Sequence, residues 1–311
     1  MKRRGSKEKR TSDKKLLVLS MGLVTIIILG FLVYKTFFQT PEIKFSLKAA
    51  IIDQLEQHFP KPEFNETVTN LLGNLGFNVS YYGYETINVA FYKELAKHDY
   101  GIIILRAHSA LREDNKTVDL FTSEEYDATK YSWERKNGLL TKGNYTRELE
   151  LEGKFYFAIT PKFIESLEGY FPKSVVIAMG CSSLKPECEE MAEAFIKKGA
   201  KAYVGWTEIV LPEDTDDETV RLLKMLLIEN RTLADATDGI YREYKEYGTG
   251  KIIISRMKFY PPSVGDLKIS ELIAEAKASS TTATVTFNDL GDIMSFLITN
   301  TSASLKRKPF A

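Results

Sequence analysis

Residues 174–183, SVVIAMGCSS, are the stretch from which the fold of this chain can be predicted. A short apolar run rich in β-branched residues and closed by glycine is typical of a buried strand in a parallel sheet. Open α/β sheets bind their ligands just beyond the carboxyl ends of the strands. Cys181 stands at such an end, and it is therefore the first candidate site residue.

A second stretch ends in the same way. Residues 100–109, YGIIILRAHS, place His108 just beyond the apolar run Ile102–Leu105. If the two strands are neighbours, a thiol and an imidazole meet at one edge of the sheet. A nucleophilic cysteine needs such a base to raise its thiolate fraction. It also needs donors for an oxyanion, and we expect the backbone N–H groups of Ser109 and Cys181 to supply them.

Simpler interpretations of these residues stay open. A cysteine after an apolar strand is often part of the core, and a single histidine is often structural. Cys188 lies at helical spacing with Met191 and Ala192, which favours a core thiol. A disulfide with Cys181, which would block the nucleophile, and a redox role are the alternatives. The two remaining histidines, His58 and His98, are expected at the surface without a role.

Apolar runs alternate with amphipathic segments along the chain, which predicts an α/β fold. We expect a doubly wound, mostly parallel sheet with helices on both faces. The predicted strands are residues 49–52, 77–84, 102–105, 175–179, 202–206 and 251–260. Four helices are predicted at residues 66–75, 89–95, 161–167 and 269–278, and another from Pro186 through Ile196. Two more begin at capping boxes: one runs from Thr215 to Ile228, and the other from Thr232 to about Tyr244.

The composition divides the chain into segments. Residues 110–157 are polar and aromatic with alternating stretches, and we expect a hairpin-rich insertion with a turn at Asn137-Gly138. The predicted segments are a basic tail at 1–15, a membrane anchor at 16–38, a spacer at 39–44, the main domain at 45–262 and a C-terminal extension at 263–311.

The amino terminus combines a basic tail with an apolar run. Residues 1–15 hold eight Lys or Arg and two acids, which leaves a net charge of −6 on the rest, so nucleic-acid binding is not indicated. Leu16–Tyr34 has no charge and would span about 28 Å as a helix. A cleaved signal peptide is the alternative, but its apolar region is usually shorter. We favour one uncleaved transmembrane helix, with the tail cytoplasmic and the body outside the cell.

Glycosylation sequons support an exported body. Six of the eleven asparagines stand in N-x-S/T motifs, more than chance would give. They are Asn65, Asn78, Asn115, Asn144, Asn230 and Asn300. A metal is not expected, because the sequence has no C-x-x-C or H-E-x-x-H spacing and few ligand residues, and no cofactor is expected.

The two strand ends together resemble the caspase-fold cysteine peptidases. A hydrophobic strand ending in His-small and a later one ending in small-Cys-x-Ser carry the resemblance, and Met191–Trp206 is similar to the clostripain, gingipain and CHAT-type branch. The likeness spans residues 49–260. It implies a sheet of about six mostly parallel strands, with His108 as general base or acid and Cys181 as nucleophile.

This chain departs from the family pattern at three points. The family usually has Gly after the histidine, where this chain has Ser109. It usually has Asp-Ala, Glu-Ala or Gln-Ala before the cysteine, where this chain has Met179-Gly180. The separation of 73 residues between His108 and Cys181 is longer than usual, and the 110–157 insertion accounts for it.

The resemblance also implies where a substrate side chain would bind. The strand after the cysteine helix and its following loop would line the pocket, which here means Trp206, Thr207 and Glu208. An acid in the pocket would favour Arg or Lys in the substrate. The nearby acidic run Glu213–Glu218 has a simpler interpretation as the first turn of a helix.

The leading hypothesis is a membrane-anchored, extracytoplasmic cysteine endopeptidase that acts on peptides or proteins through a Cys/His dyad. The alternative is a catalytically inactive caspase-like binding module on the cell surface. A third possibility is another hydrolase or transferase on an ordinary doubly wound sheet.

Overall fold

The computed structural model describes Gly30 and residues 44–112, 116–144, 153–246 and 248–278. The chain divides into two units, Met1–Ile43 and Lys44–Ala311. All elements below belong to the second unit. The predicted basic tail lies outside the described residues, as do the predicted membrane anchor, apart from Gly30, and the sequons at Asn115 and Asn300. No helix in the described ranges has the length and apolar character needed to cross a membrane.

Eleven strands occur in the described residues and form two sheets. In chain order they are β1 (Lys48–Asp53), β2 (Asn78–Tyr82), β3 (Ile102–Arg106), β4 (Ser109–Leu111), β5 (Val118–Glu125), β6 (Leu140–Gly143), β7 (Tyr156–Ile159), β8 (Val175–Ala178), β9 (Ala202–Trp206), β10 (Tyr241–Lys245) and β11 (Ile252–Tyr260). The larger sheet has the order β10-β11-β9-β8-β3-β1-β2. Its five strands from β2 to β9 are parallel, and β11 and β10 are antiparallel additions.

The prediction of a mostly parallel sheet with helices is confirmed, with seven strands rather than six. The seventh strand, β10, occupies residues that were predicted to continue a helix to about Tyr244. The helix that begins after the Thr232 cap ends at Thr237, because Tyr241–Lys245 pairs with Ile252–Arg256 instead. A pairing partner that lies beyond a turn is not visible in the local sequence.

Within the described residues, seven helices with defined ends pack on this frame. They are α1 (Pro62–Gly73), α2 (Val89–Glu94), α3 (Ser132–Lys136), α4 (Pro161–Ser166), α5 (Glu190–Lys197), α6 (Pro212–Leu227) and α7 (Leu233–Thr237). Residues 269–278 are also helical, as predicted. Three helix starts were predicted wrongly. Helix α1 begins at Pro62 rather than at Glu66. Helix α5 begins at Glu190, since Pro186 lies in a turn. Helix α6 begins at Pro212, so Thr215 lies inside it rather than at its cap.

The two faces of the larger sheet have separate cores, because successive strand residues point in opposite directions. Ile103 and Leu105 pack with α2, α4 and α5 on one face. Ile102 and Ile104 pack with α1, α6 and α7 on the other. Both faces are therefore covered by helices, as the alternation of elements predicted.

The smaller sheet follows directly from the tip of β3. Its order is β4-β5-β7-β6, and all of its pairs are antiparallel. It contains most of the segment predicted as a hairpin-rich insertion. Asn137-Gly138 is a turn, but it ends α3 and leads into β6 rather than joining two strands. Gly138 has a φ of +70°, the left-handed conformation that is common just after a helix.

Candidate active site

His108 and Cys181 are delivered to one place by neighbouring strands. In the parallel pair of β3 and β8, Leu105 lies opposite Ala178. His108 and Cys181 each stand three residues beyond this pair, so they reach the same level at the carboxyl edge of the sheet. Both side chains line one pocket of about 210 Å³. The condition set by the sequence, that the two strands be neighbours, is met.

The two strand tips touch through Gly180 and Ser109. A Cβ atom on Gly180 would lie 2.3 Å from the Ser109 Oγ atom and 2.5 Å from the Ala107 carbonyl oxygen. Only glycine therefore fits between these two groups. The Ser109 hydroxyl donates a hydrogen bond to the Cys181 carbonyl oxygen at 2.6 Å. This contact joins two positions at which the chain departs from the caspase-fold pattern. Ser109 has a side chain where that pattern has glycine, and Gly180 has none where that pattern has alanine.

The His108 imidazole is held in apolar surroundings. Its ring makes edge contacts with Phe59 and Phe121, at centroid distances of 6.1 and 6.4 Å. Its backbone N–H donates to the Gln54 Oε1 atom at 3.0 Å. Burial lowers the pKa of His108 to about 4, with smaller contributions from His58 and the Arg106 charge. His108 is therefore a neutral imidazole at pH 7.

His58 was expected at the surface without a role, and its position differs from that expectation. It is half-buried, its ring lies edge-on to Tyr84, and burial lowers its pKa. His98 is exposed, as predicted.

The Cys181 thiol is half-buried and lies against the loop that follows β9. Its Sγ atom is 3.4 Å from the Val210 carbonyl oxygen, to which it donates, and 3.5 Å from the Val210 nitrogen. The next residue, Ser182, has a φ of +55° in the left-handed region. This costs about 1–3 kcal/mol of strain, and such strain clusters at functional sites. The Ser182 N–H donates to the Glu208 carbonyl oxygen, which holds the turn.

The two cysteines do not form a disulfide. Cys188 is 3% exposed, and burial raises the pKa of its thiol. The core-thiol interpretation of Cys188 therefore holds in the structure, although the residue lies just before α5 and not within it.

The Ser109 nitrogen lies close to the turn that carries Cys181. The His108 carbonyl accepts a hydrogen bond from the Phe121 N–H of β5 at 3.0 Å. In an antiparallel ladder the N–H of the following residue then points away from that partner strand. The Ser109 nitrogen lies beside Gly180, 2.8 Å from where a Cβ atom would stand. The roles of the Ser109 and Cys181 N–H groups as oxyanion donors stay predictions.

The substrate-pocket predictions for Trp206 and Glu208 need correction. Trp206 is fully buried, and its Nε1 atom donates to the Thr215 hydroxyl at 2.9 Å. Thr215 in turn donates to the Met179 carbonyl oxygen at 3.0 Å, so Trp206 is linked through Thr215 to the end of β8. The Glu208 side chain forms an ion pair with Lys185 and does not line the pocket.

The acidic run Glu213–Glu218 does not supply a carboxylate to the pocket either. Three of its acids are bound by arginines. They are Asp214 and Glu218, which bind Arg242, and Asp216, which binds Arg106. The other two, Glu213 and Asp217, are exposed outside the pocket lining. The interpretation of this run as the acidic first turns of a helix is the one that agrees with the structure.

A buried ionic cluster lies beneath the pocket and was missed by sequence reasoning. Arg106 binds the Asp53 Oδ1 atom at 2.6 Å and both Asp216 carboxylate oxygens at 2.7 and 2.8 Å. It also donates to the Phe59 carbonyl oxygen at 2.7 Å. Burial raises the pKa of Asp216, although Arg106 opposes this shift. The cluster ties β1, β3 and α6 to one wall of the pocket. An arginine within the apolar run IIILRAHS was the available signal.

The sequons in the described ranges differ in accessibility. Asn78, Asn144 and Asn230 are exposed. Asn65 lies half-buried within α1, and its Nδ2 atom donates to the Asp53 Oδ2 atom at 3.1 Å.

Comparison with known proteins gives one distant structural likeness. No protein-family model and no curated protein matches the sequence. Among solved structures, the chain is similar to the Arg-specific cysteine proteinase gingipain R, with a TM-score of 0.40 and 11% sequence identity. The match covers 64% of this chain and 41% of the proteinase chain, so this chain corresponds to less than half of that protein.

Proposed function

We propose that this protein is a cysteine peptidase in which Cys181 is the nucleophile and His108 transfers protons. The observation that carries this proposal is that β3 and β8, two adjacent parallel strands, bring both side chains into one pocket. A thiol, a neutral imidazole and a nearby backbone N–H, that of Ser109, are the groups that acyl transfer requires.

The reaction follows from these three groups. The Cys181 sulfur bonds to the substrate carbonyl carbon while its proton passes to the His108 imidazole, and the carbonyl oxygen becomes an oxyanion beside the Ser109 N–H. The proton then moves from His108 to the leaving amine, the C–N bond breaks, and a thioester remains. Water attacks the thioester carbonyl as His108 takes up a water proton, His108 returns that proton to the sulfur as the C–S bond breaks, and the acid and the free thiol result.

The neutral state of His108 fits this proton transfer. Because the pKa of His108 is lowered to about 4, the imidazole is unprotonated at neutral pH and is able to accept the thiol proton. This state differs from a stable thiolate–imidazolium pair, for which a raised histidine pKa would be needed.

The cellular location proposed here rests on the sequence alone. We place the basic residues 1–15 on the cytoplasmic side, Leu16–Tyr34 in the membrane and the α/β body outside. Substrates would then be extracytoplasmic peptides or proteins. Carbonate extraction of isolated membranes tests the anchor. Protease digestion of intact cells, in a separate experiment, tests which side of the membrane the body lies on. Release of the full chain by carbonate, or its protection from external protease, would contradict the placement.

Three variants of the full chain test the chemistry. Peptide hydrolysis is measured with a mixture of fluorogenic peptides that differ at every position. Cys181→Ala and His108→Gln are expected to abolish hydrolysis, whereas Cys188→Ala is the matched control for losing a thiol and is expected to retain it. Full hydrolysis by Cys181→Ala would overturn the proposal.

A binding module without catalysis is the second candidate, favoured by the contact between the Cys181 thiol and the Val210 backbone. Alkylation by iodoacetamide separates the two functions. Alkylation of Cys181 that slows at least tenfold in His108→Gln supports catalysis, and alkylation that is independent of His108 supports the binding module.

A further inference from the structure

We infer that the pocket beside Cys181 and His108 accepts an apolar side chain, that of the substrate residue whose carbonyl is attacked. The inference rests on the proposed function and extends it to a substrate class. This substrate class differs from the preference for Arg or Lys that an acidic pocket residue, Glu208, would have given.

Most of the pocket wall is apolar. Leu55 and Phe59 line one side, just after β1, and Val210 and Leu211 line another in the loop that enters α6. The Tyr244 ring from β10 adds a further wall. Apolar surface of this kind contributes about 25 cal/mol per Å² when a substrate side chain covers it.

The hydroxyl groups in the wall already have partners. Thr215 donates to the Met179 carbonyl and accepts from the Trp206 indole. The Tyr244 hydroxyl donates to the Asp214 carboxylate at 2.8 Å and accepts from the Leu211 N–H at 3.2 Å. Both hydroxyl donors are therefore committed to the protein, and each oxygen has already accepted one hydrogen bond.

A charged side chain would lack a partner in this pocket. Among the described residues that line it there is no Asp, Glu, Lys or Arg, and His108 is neutral at pH 7. The acids nearby on α6 are bound by Arg106 and Arg242, and Glu208 is bound by Lys185. Burial of an unpaired charge costs several kcal/mol, so Arg, Lys, Asp and Glu are disfavoured at this position.

The volume of the pocket suits a single side chain. Sites that enclose a whole small ligand usually measure about 300–1,000 Å³. The pocket of about 210 Å³ is smaller, and His108 and Cys181 are part of its lining. A Leu, Met or Phe side chain adjoining the attacked carbonyl is the occupant that fits these dimensions and this lining.

A series of peptides that differ only in the residue before the scissile bond tests the inference on the full chain. We expect kcat/KM for Leu, Met and Phe to exceed that for Arg, Lys and Asp by at least roughly 100-fold. Preference for Arg or Lys in a Cys181-dependent reaction would overturn the apolar inference and leave the proposed function standing.

Reversible inhibitors test the pocket without turnover. Peptide aldehydes ending in leucinal or argininal add to a thiol, and their binding protects Cys181 from iodoacetamide. Stronger protection by the leucinal peptide, by at least tenfold in concentration, supports the inference, and equal protection contradicts it. Absence of any Cys181-dependent hydrolysis, together with absence of protection by either aldehyde, would overturn the proposed function itself.

A change at Leu211 tests the pocket from the protein side. Leu211 is 46% exposed and occupies the N-cap position of α6, where Asp and Asn are both favourable. Leu211→Asp is expected to raise kcat/KM for the Arg peptide at least tenfold, since it supplies a carboxylate. Asn has the shape of Asp but no charge, so Leu211→Asn is expected to give no such gain in kcat/KM for the Arg peptide. Equal gains in both variants, at unchanged melting temperature, would contradict the inference.

Discussion

The Ser109 hydroxyl donates a hydrogen bond to the Cys181 carbonyl oxygen at 2.6 Å and thereby joins the carboxyl tips of β3 and β8. The amino ends of the same two strands are joined in the same manner, because the buried Ser174 hydroxyl donates to the Tyr100 carbonyl oxygen. Each end of this strand pair is therefore fixed by one serine. Of these two bonds, only the one at the carboxyl end involves Cys181, whose thiol is the candidate nucleophile.

Ser109→Ala is expected to slow catalysis by more than its effect on stability explains. Losing the hydroxyl leaves the Cys181 carbonyl without this donor, at a cost of about 1–3 kcal/mol in the free energy of unfolding. The turn that carries the thiol loses its anchor, so kcat should fall roughly 10- to 100-fold while KM changes little. Ser174→Ala is the matched control, with a similar loss of stability and unchanged kcat. Equal kcat values in the two variants would show that the bond at Ser109 is only structural.

Gly180→Ala is expected to destabilise the protein strongly. The added methyl group would stand 2.5 Å from the Ala107 carbonyl oxygen, a backbone atom that has no way to rotate aside. Such overpacking usually costs about 1–3 kcal/mol or more, measured by urea denaturation. Ser109→Gly in the same chain removes the serine contact but leaves the backbone contact. Full rescue of Gly180→Ala by Ser109→Gly would contradict this account.

The acid limb of the pH–rate profile reports the surroundings of His108. Because burial lowers its pKa to about 4, the imidazole stays able to accept a proton down to about that pH. We expect kcat/KM to be level from about pH 5.5 to 7 and to fall by half near pH 4, provided that the protein is still folded there. A half-maximal point near 6.5, the ordinary histidine value, would contradict the burial of the ring.

The same shift predicts how stability depends on pH. The folded pKa of His108 lies below the unfolded value, so the unfolded chain binds more protons between about pH 4 and 6.5. The contribution of His108 to the free energy of unfolding is thus constant above about pH 6.5, declines as the pH falls through this window and changes no further below about pH 4. Urea denaturation of His108→Gln should show a shallower decline over the window than the parent chain.

The sequence predicts the parts of the site that depend on local pattern. An apolar run that ends in a chemically reactive residue identified both His108 and Cys181, since ligand sites lie beyond strand ends. The pocket wall was not predictable in the same way. Phe59, Val210 and Tyr244 are far apart along the chain and meet only because β1, β9 and β10 share one sheet. The resemblance to the caspase fold instead implied Trp206 and Glu208, because it places the pocket after the strand that follows the cysteine helix.

The local signals that failed were overridden by neighbours that sequence spacing does not show. Thr215 and Glu218 have the spacing of a capping box, but Pro212 starts the helix one turn earlier. The Thr215 hydroxyl then bonds to Trp206 and Met179.

Arg106→Met is expected to be among the most destabilising single changes in the chain. It leaves the carboxylates of Asp53 and Asp216 buried without their cation, which typically costs about 3–5 kcal/mol. Arg231→Met is the matched control, because its partner Glu229 and Arg231 itself are both about half-exposed, and such pairs contribute about 0–1 kcal/mol. Adding Asp53→Asn and Asp216→Asn to Arg106→Met should recover part of the loss. Equal urea midpoints for the two arginine variants would contradict the importance of the buried cluster.

Asn65 is expected to carry no glycan in folded protein, in contrast to Asn144. A glycan would be attached to the Asn65 Nδ2 atom, which donates to the Asp53 carboxylate, and the residue is half-buried within α1. Because Asp53 also binds Arg106, a sugar at this position would disturb the buried cluster beneath the pocket. Expression through a glycosylating secretory pathway, followed by peptide mapping of the soluble protein, should find glycans at exposed sequons such as Asn144. Asn144→Gln should accordingly shift the apparent mass, and Asn65→Gln should not. A glycan at Asn65 on soluble, monodisperse protein would show that the contact with Asp53 is dispensable.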